Sequence, residues 1–183
     1  MITPGHYVDG MTEGRLVEEI TERVKRNRRW LQDPEYSMVL DNVVVACVDV
    51  AVEYNGTILF GERGNEPWKG GWALCGGKMN PGENFEKTAV RHIERDLSII
   101  ITPDRPRFVC TDSWVWSRRA QAPQENGCHM QGTTYTVKLL QDEVERIQYK
   151  GDFGKIAWWE ASAITKHQYI HPAHRKACLE ILR

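Results

Sequence analysis

Apolar residues recur at two different periods along the chain, and the changes of period mark out its elements. Leu16, Ile20 and Val24 come every four residues, with acids early and bases late in the segment. That pattern predicts a helix over 12–33, with Thr12 as its N-cap. The apolar stripe is thin, so the helix is expected to dock on its own domain, act as a lid or meet a second copy. From Asp41 the run DNVVVACVDVAVEY is almost continuously apolar and reads as a long strand. Asn55-Gly56 is a tight hairpin signal, and a second strand follows in TILFGERG. Residues 65–77 read as a Gly- and Trp-rich loop leading into a short buried strand. A helix is expected over 84–97, and PRFVCTDSWVWS as a further strand. RRAQAPQENGCHMQG reads as a loop and TTYTVKLL as a strand. DEVERIQYKGDFG is a polar connection. KIAWWEAS reads as a strand and a helix start near Glu160 or Ser162. HPAHRKACLEILR is a terminal helix with Pro172 in its first turn. This alternation predicts an α/β chain with a mixed sheet covered by helices on both faces.

Composition narrows the partners more than the fold. The chain has 183 residues and a formal net charge of −1, which gives no field for a nucleic-acid polymer or an anionic membrane. An anionic ligand would need a local cluster of donors. Five cysteines are scattered without a C-x-x-C pair, so a disulfide framework or zinc site is not expected. Cys47, Cys75 and Cys110 lie in apolar runs and read as small buried residues. No apolar run approaches membrane-spanning length and no leader is apparent. The expectation is therefore a soluble cytoplasmic protein.

Two places carry candidate chemistry. Asp49 is a lone acid inside VVVACVDVAV; a buried carboxylate without a partner is costly, so it should face a partner or a pocket. The second is GGKMNPGENFEKTAVRHIERDLSI, residues 76–99. Pro81 and Gly82 suit a turn, and Glu83 stands where free helix amides favour a carboxylate. With Ile93 at the centre of the buried face, Phe85, Ala89, Val90 and Leu97 complete an apolar stripe. Asp96 lies roughly 60° to one side, His92 roughly 100° and Arg95 roughly 160°. His92 and Asp96, four apart, then form a polar edge. By spacing alone they read as an ordinary i,i+4 pair.

This segment resembles the Nudix box, G-x5-E-x7-R-E-U-x-E-E-x-G-U. Gly77, Glu83 and Arg91 match at the required spacings, and Ile93 and Ile99 match the two apolar positions. His92 replaces the glutamate after the arginine, Arg95 and Asp96 replace the glutamate pair, and Ser98 replaces the last glycine. The preceding run GERGNEPWKGGW, residues 61–72, is similar to the GDP-mannose mannosyl hydrolase branch of the Nudix superfamily, itself a branch with a reduced box. The similarity extends from about Asp41 to IHPAHR near the C-terminus.

The resemblance implies a Nudix-type α/β/α sandwich at 41–183, preceded by an N-terminal helical extension at 1–40. It implies a Mg2+-dependent hydrolase, with Mn2+ as a substitute, acting on a nucleoside diphosphate derivative, foremost a nucleotide sugar, and a homodimer. It assigns metal binding to Asp96, the Gly76 carbonyl and Asp152, and structural roles to Gly77, Glu83 and Arg91. Diphosphate contacts fall on Arg63 and Lys78, and sugar contacts on Asp49 and Tyr135. Trp68, on its loop, is the stacking candidate, while Trp72 and Trp158 read as packing residues and Trp114 and Trp116 as either. The branch's glutamine-histidine pair falls on Asp152 and Phe153. Phenylalanine cannot accept a proton, which leaves Asp152 as ligand or base. His92 reads as a partner orienting Asp96, as a ligand or base, or as a surface residue. Arg95 reads as a phosphate binder or as a sign of fewer metals. Cys128 and His129 read as loop residues, and Arg118 and Arg119 as a solvated pair or as phosphate contacts. Two alternatives stay open: a catalytically weak or inactive nucleotide-binding module, and an ADP-ribose-type diphosphatase.

Overall fold

The computed structural model describes residues 14–150 and 153–183, with side chains from residue 18 onward. Thr12 and Asp152 lie outside the described residues. The helix expected over 12–33 ends early, and a second helix that the pattern did not predict follows it. α1 (Gly14–Asn27) ends, residues 28–32 are irregular, and α2 (Asp33–Asn42) begins with Pro34 in its first turn. Glu35 Oε2 accepts from the Gln32 amide at 3.0 Å, which fixes the start of α2. Periodicity missed α2 because its buried residues are only Ser37 and Leu40.

The sheet grows from the hairpin of β1 (Val45–Tyr54) and β2 (Thr57–Arg63). Asn55 and Gly56 turn it with φ of 47° and 75°. β1 and β2 pair only near the turn, at Glu53↔Ile58 and Tyr54↔Thr57, and then part. β1 takes β4 (Cys75–Lys78) as its antiparallel neighbour there. β2 takes β3 (Trp72–Ala73) and β7 (Phe153–Trp159). On its other side β1 runs parallel to β6 (Cys128–Lys138), which pairs antiparallel with β5 (Arg107–Trp116). β6 starts earlier than the pattern predicts: CHMQG is strand, with His129 facing Ser113 at 2.8 Å.

Alternation along β1 and β2 sends Val48, Val50, Val52 and Leu59 to one face, under α3 (Phe85–Leu97). Ala51, Ile58 and Phe60 go to the other, under α5 (Ala161–Lys166) and α6 (Pro172–Ile181). A short α4 (Gln141–Glu145) closes the first face. This is the expected α/β/α arrangement around a mixed sheet. All five cysteines are free thiols; Cys47, Cys75, Cys128 and Cys178 are buried, while Cys110, expected inside, is half-buried. No helix of the described residues is long and apolar enough to cross a membrane.

Candidate active site

Where β1 and β2 part, a cavity of about 360 Å³ opens between β4, the 65–68 loop, α2, β5 and α6. One wall carries cations. Arg63, at the end of β2, donates from Nε to the Pro67 carbonyl at 2.7 Å. Lys78, at the end of β4, holds its ammonium 4.2 Å from the Tyr36 ring centre and 5.5 Å from that of Trp30. Burial, with Arg28 nearby, lowers the Lys78 pKa. Arg95 reaches the same cavity from α3.

The opposite wall is aromatic. Trp68, Trp114, Trp116 and His171 pack with ring centres 4.7–6.5 Å apart. Trp114 and Trp116 share one face of β5 because they are two apart. Glycines make room for the rings: a Cβ on Gly71 would overlap the Trp68 indole, and one on Gly132 the Trp114 indole. Trp68 is pinned by its indole N–H donating to the Tyr169 carbonyl at 3.0 Å. His171 caps α6, its Nδ1 accepting from the Ala173 amide at 3.3 Å. Burial, then His174, lowers its pKa to about 4, so the ring is neutral near pH 7. With Nδ1 as acceptor, Nε2 carries the proton and the ring is a donor. Trp72, by contrast, packs with Trp159 at 4.6 Å, and Trp158 joins the core.

Asp49 lies between the walls, 7% exposed, on the α6 face of β1. Its Oδ2 is 3.3 Å from His174 Nε2. It stands opposite Gly76 in the β1–β4 register, where a Cβ would overlap Asp49 Oδ1 and come 2.7 Å from the Val48 carbonyl.

α3 starts at Asn84, whose Oδ1 accepts from the Lys87 amide at 2.9 Å. Glu83, just ahead, accepts from Arg91 Nε and Nη2, both at 2.7 Å, from Thr88 Oγ1 at 3.0 Å and from the Asn80 amide at 3.0 Å. Arg91 Nη2 also reaches the Lys78 carbonyl at 3.1 Å. These bonds tie the turn, the helix and β4 together. Burial alone would raise the Glu83 pKa, but the bonds from Arg91, Asn80 and Thr88 outweigh it and hold the carboxyl at about 2.

The buried arc of α3 differs from the apolar stripe. Thr88, His92 and Asp96 are buried with Ala89, Ile93 and Leu97, whereas Phe85 is exposed and Val90 half-buried. His92 is 1% exposed and neither ring nitrogen has a hydrogen-bond partner. It therefore does not orient Asp96 and is not a surface residue. Burial, then the charges of Arg95 and Arg91, lower its pKa to about 4. Its ring sits beside Gly77 and is not part of the cavity wall. Asp96, its side chain 3% exposed, is gripped by Arg95: Nε to Oδ1 at 2.6 Å and Nη2 to Oδ2 at 2.8 Å. The same Nη2 donates to the Gly76 carbonyl at 2.7 Å.

A family model described as NUDIX domain matches residues 41–179. The chain belongs to the NUDIX family. Solved structures of similar fold include a MutT NUDIX hydrolase from Burkholderia pseudomallei, 22% identical with a TM-score of 0.62, covering 76% of this chain and 99% of that one. The NUDIX domain of Shewanella oneidensis NrtR complexed with ADP ribose is 17% identical with a TM-score of 0.56, covering 82% and 97%. At such identities the likeness establishes the fold. A curated relative, low-salt glycan biosynthesis protein Agl8 of Haloferax volcanii, is 29% identical over 72 residues, 39% of this chain. The match spans 46% of that relative's length.

Nudix enzymes generally use a divalent metal, and the resemblance puts it on Gly76, Asp96 and Asp152, the last of which lies outside the described residues. Magnesium binds such oxygens at about 2.0–2.1 Å. Here both Asp96 oxygens and the Gly76 carbonyl accept from one guanidinium, and a dication bound to them would stand against its nitrogens. As arranged, these residues do not fit the ion. Among the described residues no three His, Cys, Asp or Glu side chains gather to hold a metal.

Of the sequence candidates, Arg63, Trp68, Gly76, Gly77, Lys78, Asp49 and Arg95 meet at the cavity. Tyr135 does not: it lies on the α3 face, 5% exposed, its hydroxyl donating to Glu86 at 3.0 Å. Phe153 seats its ring over Gly61 within β7 and joins the core. Arg119, expected in solvent, is 1% exposed and joins α2 to the 120–127 loop through Asp41, Ser37 and the Gly127 carbonyl. Sequence reasoning passed over His171, His174 and Tyr36. The paired histidines of HPAHR beside a helix-starting proline were a signal; Tyr36 had none.

Proposed function

We propose that the cavity binds a nucleoside diphosphate derivative, foremost a nucleotide sugar, and hydrolyses it. The observation that supports this most is the pairing of a cationic wall (Arg63, Lys78, Arg95) with an aromatic wall (Trp68, Trp114, Trp116) across one cavity. A diphosphate bridge carries about two negative charges, which preorganised guanidinium and ammonium groups hold in a site with little water. A base or sugar ring stacks on indoles. Asp49, steadied by His174, accepts from sugar hydroxyls, and the His171 Nε2–H donates to phosphate or sugar oxygens. A water oxygen forms the new bond, the bond to the diphosphate oxygen breaks, and the water's proton passes to Asp152, the acid next to Phe153, which itself falls in the branch's base position and cannot accept a proton. The name of the Haloferax volcanii relative, a glycan biosynthesis protein, favours a sugar nucleotide. The ADP ribose in the NrtR complex fits the broader class. We place the enzyme in a reducing cytoplasm, in keeping with five free thiols, and as a homodimer.

Purified protein incubated with a panel of nucleoside diphosphate sugars and ADP-ribose should release product from at least one. Asp152→Asn and Arg63→Ala should each lower that rate by a factor of about 100 or more. Running the active pair in ¹⁸O-water places the label on sugar or on phosphate and so separates sugar-carbon from phosphorus attack. Phe153 in the base position favours a second reading, a nucleotide-binding module without turnover. That reading predicts thermal stabilisation by a panel member and silence in the assay.

A further inference from the structure

We infer that Arg95 is the resident cation of this site, standing where the family places a divalent metal, so that anion binding here is metal-independent. The inference deepens the proposed function, since the anion in question is the diphosphate of that reading. Its ground is geometric. A buried carboxylate needs a counter-charge, and Asp96 receives one from its own neighbour in a fork-to-fork pair. One nitrogen of that fork also takes the Gly76 carbonyl, so a single planar group collects the oxygens of Asp96 and Gly76, two of the donors that resemblance assigns to a metal. Lysine could not do this: its ammonium is a point charge without the parallel N–H pair. The guanidinium is not sealed in. The Arg95 side chain is 45% exposed while that of Asp96 is 3% exposed, and Arg95 contributes to the cavity wall with Arg63 and Lys78.

The geometry also accounts for the departures from the box. An arginine in place of the first glutamate of the pair supplies the positive charge. The acid kept at the second position, Asp96, anchors it. His92, in the place of the glutamate after the arginine, is a neutral buried ring that adds no negative charge to draw in a dication. Each change removes a need for metal or a means of holding it.

Binding of Mn2+ to the full chain, read by electron paramagnetic resonance of the free ion, tests the inference without any turnover. Wild type should bind Mn2+ no more tightly than Asp96→Asn. Arg95→Glu, which restores an acid pair, should bind at least about tenfold more tightly than wild type, since the change removes a repelling charge and adds a ligand. Where Arg95→Glu fails to fold by circular dichroism, Arg95→Gln releases the same oxygens and should show a gain in the same direction. Tight Mn2+ binding by wild type that is lost in Asp96→Asn overturns the inference. So does the absence of any gain in the folded Arg95 variants. A parallel titration with GDP-mannose and ADP-ribose in EDTA keeps the two ideas apart. If wild type binds neither, with or without Mn2+, the proposed function fails, while the Mn2+ result still judges Arg95.

Discussion

Glu83 gathers hydrogen bonds from a guanidinium, a hydroxyl and a backbone amide, and its ionised form is what they hold. Its folded pKa of about 2 lies below the ordinary 4.5, so its stabilisation is present above pH 4.5 and is lost as pH falls toward 2. Taken in full the difference would correspond to about 3 kcal/mol, and screening by the solvent that reaches this carboxylate reduces it to about 1–2 kcal/mol at neutral pH. Urea midpoints measured from pH 7 to 2.5 should show this loss in wild type and a flatter profile in Glu83→Gln, which starts lower. A second residue-scale prediction concerns Gly76. Gly76→Ala drives a methyl into Asp49 Oδ1, and also to 2.7 Å from the Val48 carbonyl and 2.9 Å from Asp49 Cα, backbone atoms that cannot swing aside. It should cost about 1–3 kcal/mol, seen as a lower thermal midpoint. Spacing made Glu83 and Arg91 legible because their partners lie within one turn and one helix. It could not show that Asp96 would be held by Arg95 rather than by His92. A helical wheel places Arg95 far from Asp96, but a long side chain at i−1 curls back across that angle when the carboxylate is buried.

At the scale of elements, α3 shows where periodicity misleads. Counting apolar residues centres its buried face on Ile93 and keeps His92 and Asp96 at the edge. The helix instead buries Thr88, His92 and Asp96 and leaves Phe85 exposed. Thr88 and Asp96 are buried with their polar atoms hydrogen-bonded locally, which a count of apolar residues does not see; the burial of His92 has no such explanation. α2 was illegible for a related reason. Its hold on the domain is polar: Ser37 and Asp41 meet Arg119, which lies 78 and more residues away in sequence. Arg119→Met keeps the bulk and removes the donors, so Asp41 and the Gly127 carbonyl lose their guanidinium while Ser37 keeps only the Ala122 carbonyl. A loss of about 2–4 kcal/mol is expected, measured as a shift in denaturant midpoint with unchanged slope.

For the molecule as a whole, the hairpin signal and the long apolar runs made the sandwich legible, because a strand buried on both faces leaves few alternatives. The cavity was less so, since its walls come from segments as distant as Tyr36 and His174. α1 leaves Val24 exposed, a face that suits a lid or a second copy, while Thr21 and Lys25 lie against Gly82 of its own domain. Removing residues 1–27 should shift a dimer toward monomer in light scattering. Trp68→Ala should weaken binding of a stacking nucleotide by about 1–3 kcal/mol in calorimetry while the fold persists. The glycines behind the aromatic wall have a consequence for how this site can change. Gly132 is a notch in β6 into which the Trp114 indole settles, and Gly71 does the same for Trp68. The bore of the site is thus set from behind, by hydrogens at two places a ligand never reaches. Adding one methyl at either would shim a tryptophan inward and narrow the range of guests. A lineage drifting between large and small substrates could therefore retune selectivity while leaving every ligand-touching side chain as it is.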